Sequence, residues 1–324
     1  MADNQEQHYQ PEQNGMYELE FPAPQLSATD GRGPVMIHAL EGFSDAGHAI
    51  KLAAQHLKDT LDTELVASFA IDELLDYRSR RPMMTFKTDH FASYDQPELN
   101  LYALHDSVGT PFLLLAGMEP DLRWERFVTA VRLLAERLGV RQTIGLGTIP
   151  MAVPHTRPVT LTAHSANSEL IADYTPWVGE VQVPASVSSL LEFRMSQHGH
   201  DAVGFTVHVP HYLAQTAYPP AAETLLAEAA RAGALQIPLA ALGEAAAEVH
   251  TKINEQVEAS AEVAQVVAQL ERQYDAFVAA QENRSLLARD EELPSGDELG
   301  AEFEKFLAQQ ADGKFGEGFT DGEE

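Results

Sequence analysis

The chain has 324 residues, 44% of them hydrophobic, with a formal charge of −28 and no cysteine. That length supports one large core or two modest ones. The charge argues against nucleic acid and anionic membranes as partners, because phosphate binding needs clustered Lys and Arg. Without cysteine there is no disulfide, thiolate nucleophile or thiolate metal site, and any metal would need His and carboxylates.

The opening "MADNQEQHYQPEQNG" lacks the basic start and apolar core of a secretion signal, and no apolar run approaches the length of a membrane span. A cytoplasmic protein with a disordered start over residues 1–15 is expected. Strands are predicted at "VMIHAL" (35–40), "ELVASFAI" (64–71), "LNLYAL" (99–104), "PFLLLAG" (111–117), "RQTIGLG" (141–147), "GEVQVP" (179–184) and "AVGFTVHV" (202–209). Helical patterns lie between several of them, over 46–61, 122–138, 165–174, 186–198 and 221–232. This alternation predicts one α/β domain through residue 238, layered around a mostly parallel sheet.

From residue 239 to 289 there is no strand signal. Val249, Ile253, Val257, Val267, Leu270, Tyr274 and Phe277 recur at helical spacings, which predicts a helical extension with one apolar face. That face is expected to cover either its own α/β domain or a second copy of the chain. "LPSG" (293–296) then breaks the pattern, inside an acidic tail over 290–324 that carries one short amphipathic helix, "DELGAEFEKFLAQQ".

The turn after the first predicted strand has the outline of a chemical loop. Gly42, four residues and Gly47 match a phosphate loop, but His48 and Ala49 stand where that motif needs Lys and Ser or Thr. A nucleophile elbow around Ser44 fails as well, since Ala46 replaces its second glycine. Asp45 is placed to cap the following helix with the protein's own anion, the alternative being a catalytic carboxylate.

"GLGTIPMAVPHTRP" (145–158) follows a predicted parallel strand, where α/β folds place ligands, and brings His155, Thr156 and Arg157 together. Arg157 can hold a ligand carboxylate or phosphate there, or brace the loop through an internal salt bridge. Arg78, Arg80 and Arg81 in "YRSRRP" form a second basic cluster, for neighbouring acids, an anion or an acidic partner segment. His208 and His211 offer imidazoles for a metal, but His200 and His208 sit at opposite ends of one strand, and ordinary strand-end histidines are the simpler reading. No metal or cofactor is expected. Met83, Met84, Trp124, Phe127 and Trp177 fit core or interface packing.

Five blocks carry a family resemblance: "MYELEFPAPQLS" (16–27), "HALEGFSDAG" (38–47), "LLAGMEPDLRWERF" (114–127), "GLGTIPMAVPHTRPVTLTAH" (145–164) and "HVPHYLAQTAYPPAAETLL" (208–226). In this order they resemble the bacterial branch of the proteasome assembly chaperone family, of the type named after the second chaperone subunit. The resemblance implies a three-layer α/β fold like that of purine nucleoside phosphorylases, a homo-oligomer with a trimer among its possible forms, and no established enzymatic activity. It also implies partners among other proteins, proteasome subunits included. The chain ends Gly322, Glu323, Glu324, unlike the apolar-Tyr-X terminus of the archaeal relatives that dock on proteasome rings, so docking by that route is not expected. The rival expectation is an enzyme or small-molecule binder using a phosphorylase-like cleft, as a hydrolase, phosphorylase or carboxylate-amine ligase, with Asp45, Glu119 and Arg157 as its working residues.

Overall fold

The computed structural model describes residues 15–20, 26, 33–175 and 179–286. The start expected to be disordered, Gly15 excepted, the stretch expected to be an acidic tail with one short helix, and Trp177 fall outside these residues. By its internal contacts the chain divides into two units, Met1–Thr175 with Ala185–Asp275, and Pro176–Pro184 with Ala276–Glu324.

The first unit is built on an eight-stranded sheet. Its strands in chain order are β1 (Tyr17–Leu19), β2 (Val35–Glu41), β3 (Thr63–Phe69), β6 (Leu99–His105), β7 (Pro111–Met118), β8 (Gln142–Met151), β9 (Leu161–His164) and β10 (Asp201–Pro210), with β4 (Met84–Lys87) and β5 (His90–Tyr94) forming a separate ribbon. Across the sheet the order is β1-β3-β6-β7-β2-β8-β10-β9. The four central strands β7, β2, β8 and β10 are parallel, while β1, β3 and β6 on one side and β9 on the other join antiparallel. The expected α/β architecture is present, and its parallel part is the centre of the sheet. There β2 and β7 are apolar without alternation because both of their faces are covered.

Two apolar layers flank the sheet. On one face Ile37, Leu114, Ile144 and Val207 meet α1 (Ala49–Thr60) and α5 (Pro219–Gly233) through Ile50, Leu57, Ala222 and Leu225. On the other face Met36, Leu40 and Leu113 meet α3 (Trp124–Arg137) and α4 (Val187–Gln197) through Phe127, Val131, Val187 and Leu191. A short α2 (Ile71–Leu74) leads toward the ribbon. Among the described residues no helix is long and apolar enough to cross a membrane.

The extension is two helices, α6 (Ala240–Glu258) and α7 (Ala261–Leu286), and α6 packs against α5 within the first unit. The apolar face offered for a second copy is largely occupied inside the chain. Ile253 belongs to the core cluster with Val249 and Val257 against it, and Val267 and Leu270 are buried, whereas Tyr274 is half-buried and donates to the Pro158 carbonyl at 3.4 Å. Phe277, in the second unit, is exposed.

Three expectations need correction. Residues 179–184 form no strand: Val181 and Val183 are exposed, so their alternation has no covered face to serve. The helix expected over 165–174 shortens to a 3-10 turn, Ser168–Ile171, capped by Asn167 accepting from the Glu169 amide. Of the core or interface packing expected for Met83 and Met84, the core half fails, since both lie on the surface.

Candidate functional site at the carboxyl edge of the sheet

Because β7, β2, β8 and β10 are parallel, their carboxyl ends share one edge, and the loops leaving it hold most of the candidate residues. The turn 42–48 after β2 is built by close packing. A Cβ on Gly42 would lie 2.0 Å from Oε2 of Glu119. Gly47 has a positive φ of 70°, and a Cβ there would come within 2.9 Å of Tyr218, so only glycine fits. The phosphate-loop spacing is therefore explained by two neighbours of the backbone.

Several of the donors that a phosphate would use are already taken. The Gly47 amide donates to the Ala214 carbonyl at 2.7 Å, and the Ile50 amide, in the first turn of α1, donates to Oδ1 of Asp45 at 2.7 Å. Asp45 thus reaches across a 3-10 turn, Ala46–His48, to satisfy an orphan donor of α1. Burial, reinforced by nearby Glu41, pushes its carboxyl above the usual aspartate range, and the Ile50 amide opposes that shift. Ser44 contributes its carbonyl, which accepts from the Thr148 amide at 2.8 Å and stitches the turn to β8.

Glu119, just past β7, is 7% exposed. Its Oε2 accepts from the Phe43 amide at 3.1 Å and its Oε1 from the Val187 amide, at the first position of α4, at 2.6 Å. One carboxylate thereby fills the anion position of a helix N-terminus and clamps the turn beside it. Arg80 lies next to it, donating to the Glu119 carbonyl and, through two nitrogens, to Asp121. Phe43, Arg80, Glu119, Asp121 and Trp124 line an open groove of about 500 Å³. Arg78 and Arg81 form no ion pair among the described residues, and Arg81 lines a second groove with Arg80, Glu41, Asp95 and Glu98.

The loop after β8 is held by the helical extension. His155 is 1% exposed. The Tyr212 hydroxyl accepts from the His155 amide at 2.9 Å and lies 2.7 Å from Nδ1, so it donates there; the ring proton then sits on Nε2, which faces Oδ1 of Asn254 at 3.1 Å. Thr156 donates to Glu271 at 2.5 Å, while Arg157 makes a forked pair with Asp275, 2.7 Å for each bond, and reaches Glu271 at 3.1 Å. The hydrogen bonds it donates to Asp275 hold the Arg157 guanidinium above its ordinary pKa, and in return Asp275 sits below the usual carboxylate range. Asp45, Glu119 and Arg157 share an edge, but each is engaged with its own chain.

Sequence reasoning missed a polar network on the α3/α4 side of the sheet. His38 on β2 is 1% exposed, its Nδ1 lies 2.9 Å from the Ser188 hydroxyl, and its Nε2 has no partner among the described residues. Burial, then the proximity of His164, pushes its pKa down to about 4. His164 bridges Glu192 at 3.0 Å and the Thr206 hydroxyl at 3.0 Å. His208 lies between Thr160 and Thr162, at 2.9 and 3.0 Å, the ordinary role for a strand histidine. The available signal was a histidine interrupting the apolar run "VMIHAL". Among the described residues no group of three or more His, Cys, Asp or Glu is arranged to hold a metal ion.

The model of the PAC2 family matches residues 39–257, which contain the whole carboxyl edge. A Mycobacterium tuberculosis protein of unknown function, Rv2714, is 74% identical, with 94% of this chain and 99% of that one covered and a TM-score of 0.84. A Corynebacterium glutamicum protein of unknown function is 44% identical over 82% of this chain and 98% of its own, with a TM-score of 0.79. The Mycobacterium tuberculosis proteasome-assembly chaperone homologue Rv2125, at 24% identity over 72% of this chain and 99% of its own and a TM-score of 0.66, shares the fold. No curated protein matches. The span of the family model and the likeness to these chains make this protein a member of the PAC2 family.

Proposed function

We propose that this protein is a non-enzymatic, cytoplasmic, assembly-chaperone-like protein that works as a homo-oligomer and binds other proteins, with proteasome subunits as its first candidate clients. Family membership supports the class of function, and a fold relative bears the description of a proteasome-assembly chaperone homologue. The observation that carries the reading is the state of the carboxyl edge. Asp45, Glu119, His155 and Arg157, the residues a phosphorylase-like cleft would use, are taken up by the chain's own amides, hydroxyls and carboxylates. A site prepared for chemistry keeps such groups aimed at a substrate, whereas here they fix loops to helices. The remaining capacity for recognition is on protein surfaces. Native mass spectrometry of the full chain mixed with unassembled proteasome subunits tests this: a complex of defined stoichiometry is expected, and separate components at micromolar concentration would refute the client class.

A further inference from the structure

Helix α6 meets the body of the first unit through polar rings as well as aliphatic side chains. Four of them are linked in a row: Tyr212 in the 3-10 turn His211–Leu213 after β10, His155 on the loop after β8, His250 on α6, and Tyr218 just before α5. Ring centres lie 5.9 Å apart for Tyr212 and His155, 5.9 Å for His155 and His250, and 6.4 Å for His250 and Tyr218. His155 and Tyr218 are each 1% exposed, and His250 is half-buried.

The hydrogen bonds of His155 specify a neutral ring. Its Nδ1 accepts from the Tyr212 hydroxyl at 2.7 Å, and its Nε2 donates to Oδ1 of Asn254, also on α6, at 3.1 Å. That hydroxyl already accepts from the His155 amide. A proton on Nδ1 would turn the hydroxyl from donor to acceptor and leave its hydrogen without a partner. It would also set a positive ring against His250, across the boundary between body and extension. The charges around the row answer one another: Arg157 on the loop is paired with Glu271 and Asp275 on α7. His211 adjoins Tyr212 with ring centres 5.4 Å apart, and burial pushes the Tyr212 and Tyr218 phenols up, so both stay neutral.

We propose that this row of rings is a proton-operated catch that fastens α6 to the body at neutral pH and loosens it in mild acid. The inference goes beyond the client reading and stands without it. Neutral His155 joins Tyr212 of the body to Asn254 of the extension; protonated, it repels His250 on the same helix. Burial, then the proximity of His155, holds His250 below its ordinary value. The contact is therefore complete above about pH 6.5 and weakens as pH falls. Ile253, Val249 and Val257 keep their aliphatic contacts with the core, so the catch opens the end of α6 and the loop rather than unfolding the chain.

The test is hydrogen exchange of the full chain, read by mass spectrometry as protection factors corrected for the intrinsic pH dependence of exchange, between about pH 7.5 and about pH 5. That range stays above the value of about 4 to which the His38 pKa is depressed. The wild type is expected to lose protection at least about tenfold in residues 152–160 and the second half of α6, while β2 and β7 keep theirs. His250→Phe retains a ring without a charge and should flatten that loss. Tyr212→Phe removes the bond that favours neutral His155 and should move the loss to higher pH, which a merely structural tyrosine would not do. Protection of β2 and β7 at neutral pH shows that each variant is folded, and should one fail that check the other decides. Constant wild-type protection across the range overturns the catch. So does a loss that the folded variants leave unchanged, or one that β2 and β7 share in full, which is global acid unfolding.

Discussion

Glu119 offers a direct way to separate a structural edge from a catalytic one. Replacing it with alanine leaves the amides of Phe43 and Val187 without their acceptor. Each unsatisfied donor costs about 1–3 kcal/mol when water cannot reach it. Phe43 is on an exposed turn, where water replaces much of the lost bond, while the Val187 amide is buried at the start of α4 and keeps the full penalty. The charge of the carboxylate at that helix N-terminus is also lost, a further ~0.3–1 kcal/mol. The expected destabilisation of Glu119→Ala is therefore about 3 kcal/mol, a fall of roughly 6–12 °C in melting temperature for a domain of this size. Calorimetry and urea unfolding of the variant against the wild type measure it. Catalytic residues are commonly held against the stability of the fold, so their removal tends to be neutral or stabilising. A Glu119→Ala protein as stable as the wild type would refute the structural assignment and return the groove beside Arg80 to consideration as an active site.

Other consequences follow from the same geometry. Because the His38 pKa is depressed to about 4 from an ordinary 6.5, the unfolded chain binds the proton first as pH falls. The His38 contribution to stability is complete above about pH 6.5 and declines until about pH 4, by about 3 kcal/mol; burial lowers His208 and His250 as well, so His38→Leu should reduce the slope in urea titrations without abolishing it, and an unchanged slope would show that His38 does not contribute. Arg157→Ala should speed hydrogen exchange in residues 152–160 and in the middle turns of α7, around Glu271 and Asp275, while leaving the sheet protected, and unchanged exchange there would show that the pairs with Glu271 and Asp275 do not hold the loop. Gly42→Ala drives a methyl into the Glu119 carboxylate and should destabilise through the same clamp, so the double variant with Glu119→Ala should cost less than the sum of the two singles; strict additivity would show that the two positions are not coupled.

The legible parts of this fold were those with local signals. Buried central strands such as "VMIHAL" and "PFLLLAG" read directly as apolar runs, and the Asp45 cap could be inferred because its partner Ile50 is five residues away. The ribbon β4–β5 was not legible, since a strand with no covered face has no apolar and polar sides to alternate. The reverse error occurred at Val181 and Val183, which alternate without any partner strand. The clamps of the candidate site were hidden by distance along the chain: Glu119 and Val187 are 68 residues apart, Arg157 and Asp275 118. A sequence names such groups, but only the fold shows that their partners lie within the same chain.

The central claim is that the protein acts on the assembly of other proteins, and a time course of proteasome particle formation tests it most directly. Unassembled proteasome subunits are mixed with and without the full chain, and particle mass is followed by light scattering. A chain that alters the rate or order of assembly and is found with intermediates fulfils the account; identical time courses, with the chain absent from every intermediate, contradict it.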